Sequence, residues 1–440
     1  MNHPHFEQAV PWAPHPTTAP VTRREGEGRF VTAGNGTRTC AGGWSFEFGG
    51  ITAGGWYAVE VLVACAGLPH PRDALICSAH WAQFAPHQVR NGLQPWDYLI
   101  PDPSADGGSI RFRRLLRAAA DATALSVRCT LRWTSSGEAA WALPQVRAVP
   151  APALQPPVRV AVVTGQLSQR PRQITSIATN VEYYARLCEA ACGRFQPHLM
   201  ALPEIALQWG LGGHAVEHAV AVPGPETDAF ADIARRYRVR IVLGLYERDG
   251  DAVRNSAILI APDGSIDGRY RKVHLALGGE AESGVLPGDD FPVIATEVGR
   301  IGCNICMDSS AAESSRLVGL NGADFLVLPI MGDHRADRWS AGPPIHSDSR
   351  WLAIMRTRAM DNQLCMVVSR NCTQASCIID RKGDVLAWND GDQDAICAEV
   401  DLGRELRVWN GGCFVDANWL QRRPHLYGPF CDVRNVGSLR

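Results

Sequence analysis

The chain has 440 residues, of which 46% are hydrophobic and 20% are charged, so it is long and apolar enough for two globular domains with buried cores. A net charge of −2 excludes a general attraction to nucleic acid or to an anionic membrane. Because no apolar run approaches the roughly 18 residues of a membrane span, and residues 1–30 lack the apolar core of a secretory signal, we expect a cytoplasmic protein without nucleic-acid or membrane partners.

The first 150 residues predict a β-rich domain after a short flexible segment. Residues 1–29 are rich in Pro, His and Thr, and we expect them to be flexible. Apolar and polar residues then alternate with the period of a strand at 43–48, 56–63 and 125–133, between turns rich in Gly, Pro and Asp. Because residues 30–150 lack a convincing helical pattern, they predict an antiparallel β-sandwich or jelly roll.

A stiff, Pro-rich connection at 151–157 separates this region from one with a different rhythm. Over residues 158–402, strand patterns alternate with helical patterns at 175–193, 226–237, 312–321 and 349–361. This alternation predicts an α/β domain in which helices cover a layered sheet. We expect residues 403–440 to form a C-terminal extension that packs on this domain or on a neighbouring subunit.

Two side chains at predicted strand ends are candidates for catalysis. Glu204 follows an apolar strand that ends near Leu202, and partial burial makes a carboxylate in such a position a better proton acceptor. Cys306 ends a predicted buried strand over 301–306 and precedes a helix, so its thiol would project from a rigid sheet edge beside backbone N–H donors. The alternative interpretations are a solvated glutamate and a core cysteine.

Lys272 is conspicuous because the chain contains only two lysines among its 43 basic residues. A compact ammonium suits a position against a carboxylate and a developing oxyanion, whereas the wide planar fork of arginine has a different shape. Lys272 lies between Glu204 and Cys306 in the chain, whereas the other lysine, Lys382, lies in a turn. An exposed lysine without function is the alternative interpretation of Lys272.

Cys303 and Cys306 form a C-x-x-C motif, which invites a zinc or dithiol interpretation. Residues i and i+3 of a strand point to opposite faces, so we expect the two sulfur atoms not to meet. The sequence contains no second such motif or matched histidine pair. It therefore disfavours a zinc site or a dithiol redox centre.

Three ordered segments resemble the signatures of the nitrilase superfamily, the carbon-nitrogen hydrolases. They are Leu202-Pro203-Glu204, the segment 270–275 (Tyr-Arg-Lys-Val-His-Leu) and the segment 302–308 (Gly-Cys-Asn-Ile-Cys-Met-Asp). The resemblance covers roughly residues 157–402 and includes a Pro-Gly-Asp loop at 287–289. It implies a four-layer αββα sandwich, here preceded by the β-sandwich, and relatives of this kind usually assemble into homo-oligomers.

The resemblance also implies roles for individual residues. It makes Cys306 the nucleophile, Glu204 the general base and Lys272 the cation that supports the tetrahedral oxyanion. A second glutamate is expected before the Pro-Gly-Asp loop, and Glu280 matches it better than Glu282. The backbone N–H of Met307 would complete the oxyanion hole, and the implied mechanism needs no metal and no organic cofactor.

The implied substrate is a small linear amide or N-carbamoyl compound, because Cys306-Met307-Asp308 is similar to the amidase and carbamoylase branches. Nitrile hydrolysis and amide-forming acyl transfer are the alternatives within the superfamily. A different class, a glycan- or partner-binding protein with an inactive hydrolase domain, is the remaining alternative. One of four residues after the strand near Pro329 is a candidate to bind a substrate carboxylate: His334, Arg335, His346 or Arg350.

Overall fold

The computed structural model describes residues 3–82, 96–102, 109–153, 155–170, 174–276, 278–331, 348–371, 374–403, 407–409, 412–413 and 418–431. The chain divides into two compact units, which are Met1–Ala153 with Leu406–Arg440, and Leu154–Glu405. In the described ranges, every helix is too short or too polar to span a bilayer.

The first unit is built almost entirely from strands. In chain order, its N-terminal part contains β1 (His5–Trp12), β2 (Val21–Glu25), β3 (Arg29–Ala33), β4 (Ala41–Gly49), β5 (Trp56–Ala66), α1 (Pro71–Ala74), β6 (Leu75–Ala82), β7 (Trp96–Tyr98), β8 (Ile100–Pro101), β9 (Ser109–Arg117), β10 (Ala124–Arg132), β11 (Glu138–Ala142) and β12 (Gln145–Val149). The strands pair antiparallel in the orders β1-β4-β10-β6-β7 and β2-β3-β11-β5-β9-β8, with β12 also beside β5.

One apolar core joins the two sheets of this unit. Along β5, Val59, Val61 and Val63 are buried whereas the intervening side chains point outward, as the period of two requires. These valines share a core with Phe46 of the first sheet and Trp141 of the second. The arrangement is the predicted antiparallel β-sandwich.

The N-terminal segment differs from the expectation. We expected residues 1–29 to be flexible, but β1 pairs with β4 from His5 to Trp12, and β2 pairs with β3. Both strands lie at sheet edges, and an edge strand tolerates a proline such as Pro11. The proline-rich composition therefore did not prevent strand formation.

The C-terminal segment also differs from the expectation. We expected residues 403–440 to pack on the α/β domain or a neighbouring subunit, but Leu406–Arg440 groups with the first unit. One contact that holds it there is a stack of His425 on His70, with ring centroids 4.1 Å apart.

The second unit alternates strands and helices. Its elements are β13 (Val158–Val163), α2 (Ile177–Phe195), β14 (Leu199–Ala201), α3 (Ala215–His218), β15 (Val220–Ala221), α4 (Pro225–Tyr237), β16 (Arg240–Asp249), β17 (Ala252–Ile260), β18 (Ile266–Arg271), β19 (Val293–Thr296), β20 (Gly299–Cys303), α5 (Ala312–Leu320), β21 (Phe325–Ile330), α6 (Asp348–Asn362), β22 (Cys365–Arg370), β23 (Ser376–Ile379), β24 (Val385–Asn389) and β25 (Ala395–Val400). A last pair, β26 (Arg407–Trp409) and β27 (Gly412–Cys413), belongs to the first unit.

The second unit has four layers. One sheet has the order β18-β17-β16-β14-β13-β25, with β15 beside β16, and the other has the order β19-β20-β21-β22-β23-β24. Val160 and Val162 of β13 point into the core between the sheets, whereas Ala161 and Val163 point into the core beneath α2 and α4. The second sheet packs its outer face against α5 and α6. This αββα order is the fold class expected from the sequence.

Candidate active site

Loops at the ends of three strands bring the predicted catalytic residues together. Glu204 follows β14, Lys272 follows β18 directly, and Cys306 follows β20. β14 and β18 belong to one sheet of the second unit and β20 to the other. The site is therefore assembled where the two stacked sheets end.

A buried ammonium lies between two buried carboxylates. Lys272 Nζ donates to Glu204 Oε1 at 2.8 Å and to Glu280 Oε2 at 2.6 Å. The three residues are 1%, 3% and 7% exposed, respectively. Glu282, the alternative second glutamate, is exposed. The structure thus places Glu280, and not Glu282, beside Lys272.

Uncharged donors fix the orientation of both carboxylates. Asn255 Nδ2 donates to Glu204 Oε1 at 2.8 Å and also to Glu280 Oε1. The backbone N–H of Met331 donates to Glu204 Oε2, and that of Ala276 donates to Glu280 Oε2, both at 2.8 Å. Asn255 was missed by the sequence analysis, because it lies between the polar residues Arg254 and Ser256 of β17 and no local pattern distinguishes it.

The backbone at Cys306 turns the thiol out of the strand direction. We predicted a strand through Cys306, but β20 ends at Cys303, and Cys306 begins a 3-10 helix that extends to Ser310. Cys306 has φ +45°, a left-handed conformation that costs a residue with a Cβ roughly 1–2 kcal/mol. Ser309 Oγ holds this turn by donating to the Cys306 carbonyl oxygen at 2.6 Å.

The charges of the cluster determine which form of the thiol is present. Burial raises the pKa of the Cys306 thiol, the negative charges of Glu204 and Glu280 raise it further, and Lys272 opposes them. A hydrogen bond with Glu204 also raises the pKa of this thiol. At neutral pH Cys306 is therefore protonated, and its conversion to a nucleophile requires a neighbouring base.

Lys272 remains charged despite its burial. Burial by itself lowers the pKa of Lys272, but the negative charges of Glu204, Cys306 and Glu280 outweigh it and raise this pKa above the ordinary value. Tyr246 of β16 lies within the electrostatic reach of the same groups. Burial raises the pKa of its phenol, and the charges of Glu280 and Glu204 raise it further. Tyr246 is a second residue that the sequence analysis missed.

Asp308 connects the loop that carries the nucleophile to the loop that carries the lysine. It is fully buried and accepts hydrogen bonds from Tyr270 Oη at 2.7 Å, from the Ile305 N–H at 2.8 Å and from His274 Nδ1 at 2.8 Å. The His274 N–H donates to it as well, at 2.9 Å. The hydrogen bond to Asp308 raises the pKa of His274. These contacts hold the loop that carries Cys306 against the loop that carries Lys272.

The two cysteines of the C-x-x-C motif do not lie on one strand, because β20 ends at Cys303. Both are free thiols. Cys303 is buried in the core between the two sheets, and Cys306 packs against the same core while lying within the electrostatic reach of Glu204 and Lys272. Groups of three or more possible metal ligands are absent from the described part of the chain.

The side chains of the four candidate residues for binding a substrate carboxylate lie outside the part of the chain that the structure describes. His334, Arg335 and His346 lie outside the described residues. Arg350 belongs to α6, and its side chain is outside the described part as well. Their role stays a prediction from the sequence.

A close backbone approach at Gly244 sets the position of Glu204. A Cβ at Gly244 would lie 2.3 Å from the Pro203 carbonyl oxygen and 2.8 Å from Glu204 Cα, so an alanine there displaces Glu204. Because misplacement of a catalytic group by about 1 Å costs on the order of 10²-fold, we expect Gly244→Ala to lower kcat by about that factor. Gly212→Ala, which adds a methyl group to open space, is the matched control. Unchanged kcat in Gly244→Ala would contradict the proposed importance of this contact.

A buried Glu–Lys–Cys cluster between the sheets of an αββα sandwich is typical of enzymes that cleave carbon–nitrogen bonds. Residues 159–407 match the model of the Carbon-nitrogen hydrolase family. The chain therefore belongs to the carbon-nitrogen hydrolase family, within the nitrilase superfamily, and is an enzyme of this type.

Relatives in other organisms match part of this chain. A probable nitrilase of Schizosaccharomyces pombe is 32% identical over 222 residues, which cover 47% of this chain and 75% of the relative. A citrullinase of Francisella tularensis is 31% identical over 214 residues, which cover 44% of this chain and 71% of the relative. The human omega-amidase NIT2 is 25% identical over 209 residues, which cover 44% of this chain and 72% of the relative.

Solved structures show the same fold. A carbon-nitrogen hydrolase from Helicobacter pylori aligns with a TM-score of 0.51 and 22% identity, over 62% of this chain and 98% of that one. Nit3 of Saccharomyces cerevisiae aligns with a TM-score of 0.50 and 21% identity, over 63% of this chain and 99% of that one. At these identities the likeness shows the architecture alone.

Proposed function

We propose that the protein hydrolyses the C–N bond of a linear amide or N-carbamoyl compound through a thioester on Cys306. The observation that carries this proposal is the contact of Lys272 with both Glu204 and Glu280, in a cluster whose charges act on the Cys306 thiol. Relatives named omega-amidase and citrullinase support the substrate class, since citrulline carries an N-carbamoyl group.

In the first half-reaction Glu204 takes the proton of the Cys306 thiol while the sulfur attacks the carbonyl carbon. The carbonyl π electrons move to oxygen, and the oxyanion is stabilised by Lys272 Nζ and by the backbone N–H of Met307. Glu204 then returns its proton to the departing nitrogen. The C–N bond breaks, the amine or ammonia leaves, and the acyl group remains on Cys306 as a thioester.

In the second half-reaction water replaces the amine. Glu204, again a carboxylate, takes a proton from water as its oxygen attacks the thioester carbon. The same donors stabilise the second oxyanion, and the C–S bond breaks when it collapses. The acid product leaves, and the proton returns to the Cys306 sulfur. Glu280 takes no proton in this cycle; together with Glu204, it holds the lysine ammonium in place.

The test is an ammonia-release screen over linear amides, N-carbamoyl amino acids and nitriles, combined with mass spectrometry of acid-quenched enzyme. We expect release from the first two classes and an acyl adduct on the peptide that contains Cys306. The matched controls are Cys306→Ala, which should release none, and Cys303→Ala, which removes the neighbouring thiol from the inter-sheet core. Ammonia release that survives Cys306→Ala would overturn the proposal.

A further inference from the structure

A basic pocket lies in the first unit, and its lining residues take no part in the cluster around Cys306. Its volume is about 340 Å³, within the range of sites for small metabolites. The charged and imidazole side chains that line it are Arg38, His70, Asp73, Arg132, Arg423 and His425. A second cavity of about 350 Å³ shares His70, Asp73 and His425 with it.

The pocket concentrates positive charge in a chain whose net charge is −2. Three guanidinium groups line it against a single carboxylate, that of Asp73. Asp73 lies 3.6 Å from His425 Nδ1, and within the described residues it has no ion pair with an arginine. The described part of the protein therefore supplies one carboxylate, which also acts on Arg132, for three guanidinium charges.

Two of the arginines are held against one aromatic ring. The guanidinium carbon of Arg132 lies 3.8 Å from the ring centroid of Trp133, and that of Arg423 lies 4.6 Å from it. Burial lowers the pKa of Arg132, interactions with Tyr98 and Asp73 oppose this shift, and the positive charge of Arg423 lowers the pKa as well. The indole face attracts both guanidinium groups, so the ring gathers two positive charges at the wall of the pocket.

Within the described residues, several guanidinium donors of the pocket have no hydrogen-bond partner. Arg132 Nε donates to the backbone carbonyl oxygen of Asp73 at 3.1 Å, but its terminal nitrogens have no hydrogen-bond partner among the described residues. The same holds for the guanidinium groups of Arg38 and Arg423, and Arg38 is exposed at the pocket. The hydroxyl groups of Ser135 and Ser136 also line the pocket and add further donors, whereas the Thr134 hydroxyl donates to the Ser136 carbonyl oxygen.

We propose that this pocket binds a small molecule that carries a phosphate group. Guanidinium groups match the oxygen geometry of phosphate with paired hydrogen bonds, and three of them supply more donors than a single carboxylate accepts. The pocket is larger than a bare phosphate ion, so the ligand extends beyond its anionic group. The site would give the first unit a binding function that is separate from the hydrolysis carried out by the second unit.

The test is calorimetric titration of the full-length protein with inorganic phosphate and with glycerol 3-phosphate, at constant ionic strength. We expect Arg38→Gln and Arg423→Gln each to weaken binding about ten- to a hundredfold, the usual effect of losing hydrogen bonds to a charged group. Arg147→Gln is the matched control. Arg147 is exposed on β12, so this substitution removes the same charge outside the pocket. Thermal melting of each variant reports whether it is folded, and Arg38, being exposed, has the smaller structural role.

The outcomes separate the possibilities. Equal affinity for both probes shows that the phosphate group alone is recognised, and tighter binding of the ester shows that the pocket also contacts the rest of the ligand; both support the proposal. Absence of binding by both probes, or weakening by Arg147→Gln as large as that by Arg38→Gln, overturns it. Cys306→Ala should bind phosphate as the unmodified protein does, so a failure of the proposed hydrolysis leaves this test intact.

Discussion

Replacing Glu204 by glutamine is expected to lower kcat/KM for the amide or carbamoyl substrate by at least about 10³-fold, while making the Cys306 thiol more acidic. The loss follows because Glu204 moves a proton in every step of both half-reactions. The gain in acidity follows because the charge of Glu204 and its hydrogen bond both raise the pKa of Cys306, so their removal lowers it. At a given alkaline pH the variant then contains more thiolate than the unmodified enzyme.

The two effects are measured separately. Steady-state ammonia release gives kcat/KM. The rate of iodoacetamide labelling of the Cys306 peptide, measured between pH 7 and 10, reports the fraction of Cys306 that is present as thiolate. We expect the labelling profile of Glu204→Gln to move to lower pH while turnover collapses. Glu282→Gln is the matched control, because Glu282 is exposed two residues from Glu280. If the labelling profile of Glu204→Gln moved to higher pH, Glu204 would not be the group that keeps the thiol protonated.

The α/β character of the second unit could be predicted because its causes are local in the sequence, whereas the four-layer αββα order was implied by the family resemblance. In β13, alternate residues face two different cores, and the amphipathic helix α2 begins after Ser176, whose Oγ accepts a hydrogen bond from Thr179 N–H. The order of Glu204, Lys272 and Cys306 then predicted the cluster through a family resemblance. The distances from Lys272 to its two carboxylates came only from the structure.

Other features depend on residues far apart in the chain, and local patterns do not reveal them. Asn255 contacts Glu204 and Glu280 only because β17 lies beside β16, which in turn lies beside β14. The edge strand β1 forms only because β4 supplies its hydrogen-bond partners more than 30 residues later. His425 meets His70 across more than 350 residues, so the position of the C-terminal segment could not be deduced from its composition.

Replacing Lys272 by methionine is expected to destabilise the protein by about 3–5 kcal/mol at pH 7 and to lower kcat by on the order of 10²–10³-fold. Methionine fills a similar volume but leaves Glu204 and Glu280 buried as two carboxylates that share only the amide of Asn255 between them. Urea unfolding at pH 7 measures the loss of stability. Lys382→Met is the matched control, since it changes the only other lysine of the chain and should alter stability by less than about 0.5 kcal/mol.

The pH dependence of the free energy of unfolding tests whether the charge of Lys272 causes the loss of stability in Lys272→Met. Folding raises the pKa of Lys272 above its ordinary value of 10.5, so its stabilising effect is fully present below that pH and is lost only as the pH rises further. In Lys272→Met the repulsion between the carboxylates is relieved when one binds a proton, so the gap in stability between the two proteins should narrow from pH 7 to pH 5. Adding Glu280→Gln to Lys272→Met should recover part of the stability but none of the activity, because the ammonium that stabilises the oxyanion is still missing. A stability gap that is independent of pH, and that Glu280→Gln does not reduce, would mean that the lysine acts through packing of its alkyl chain.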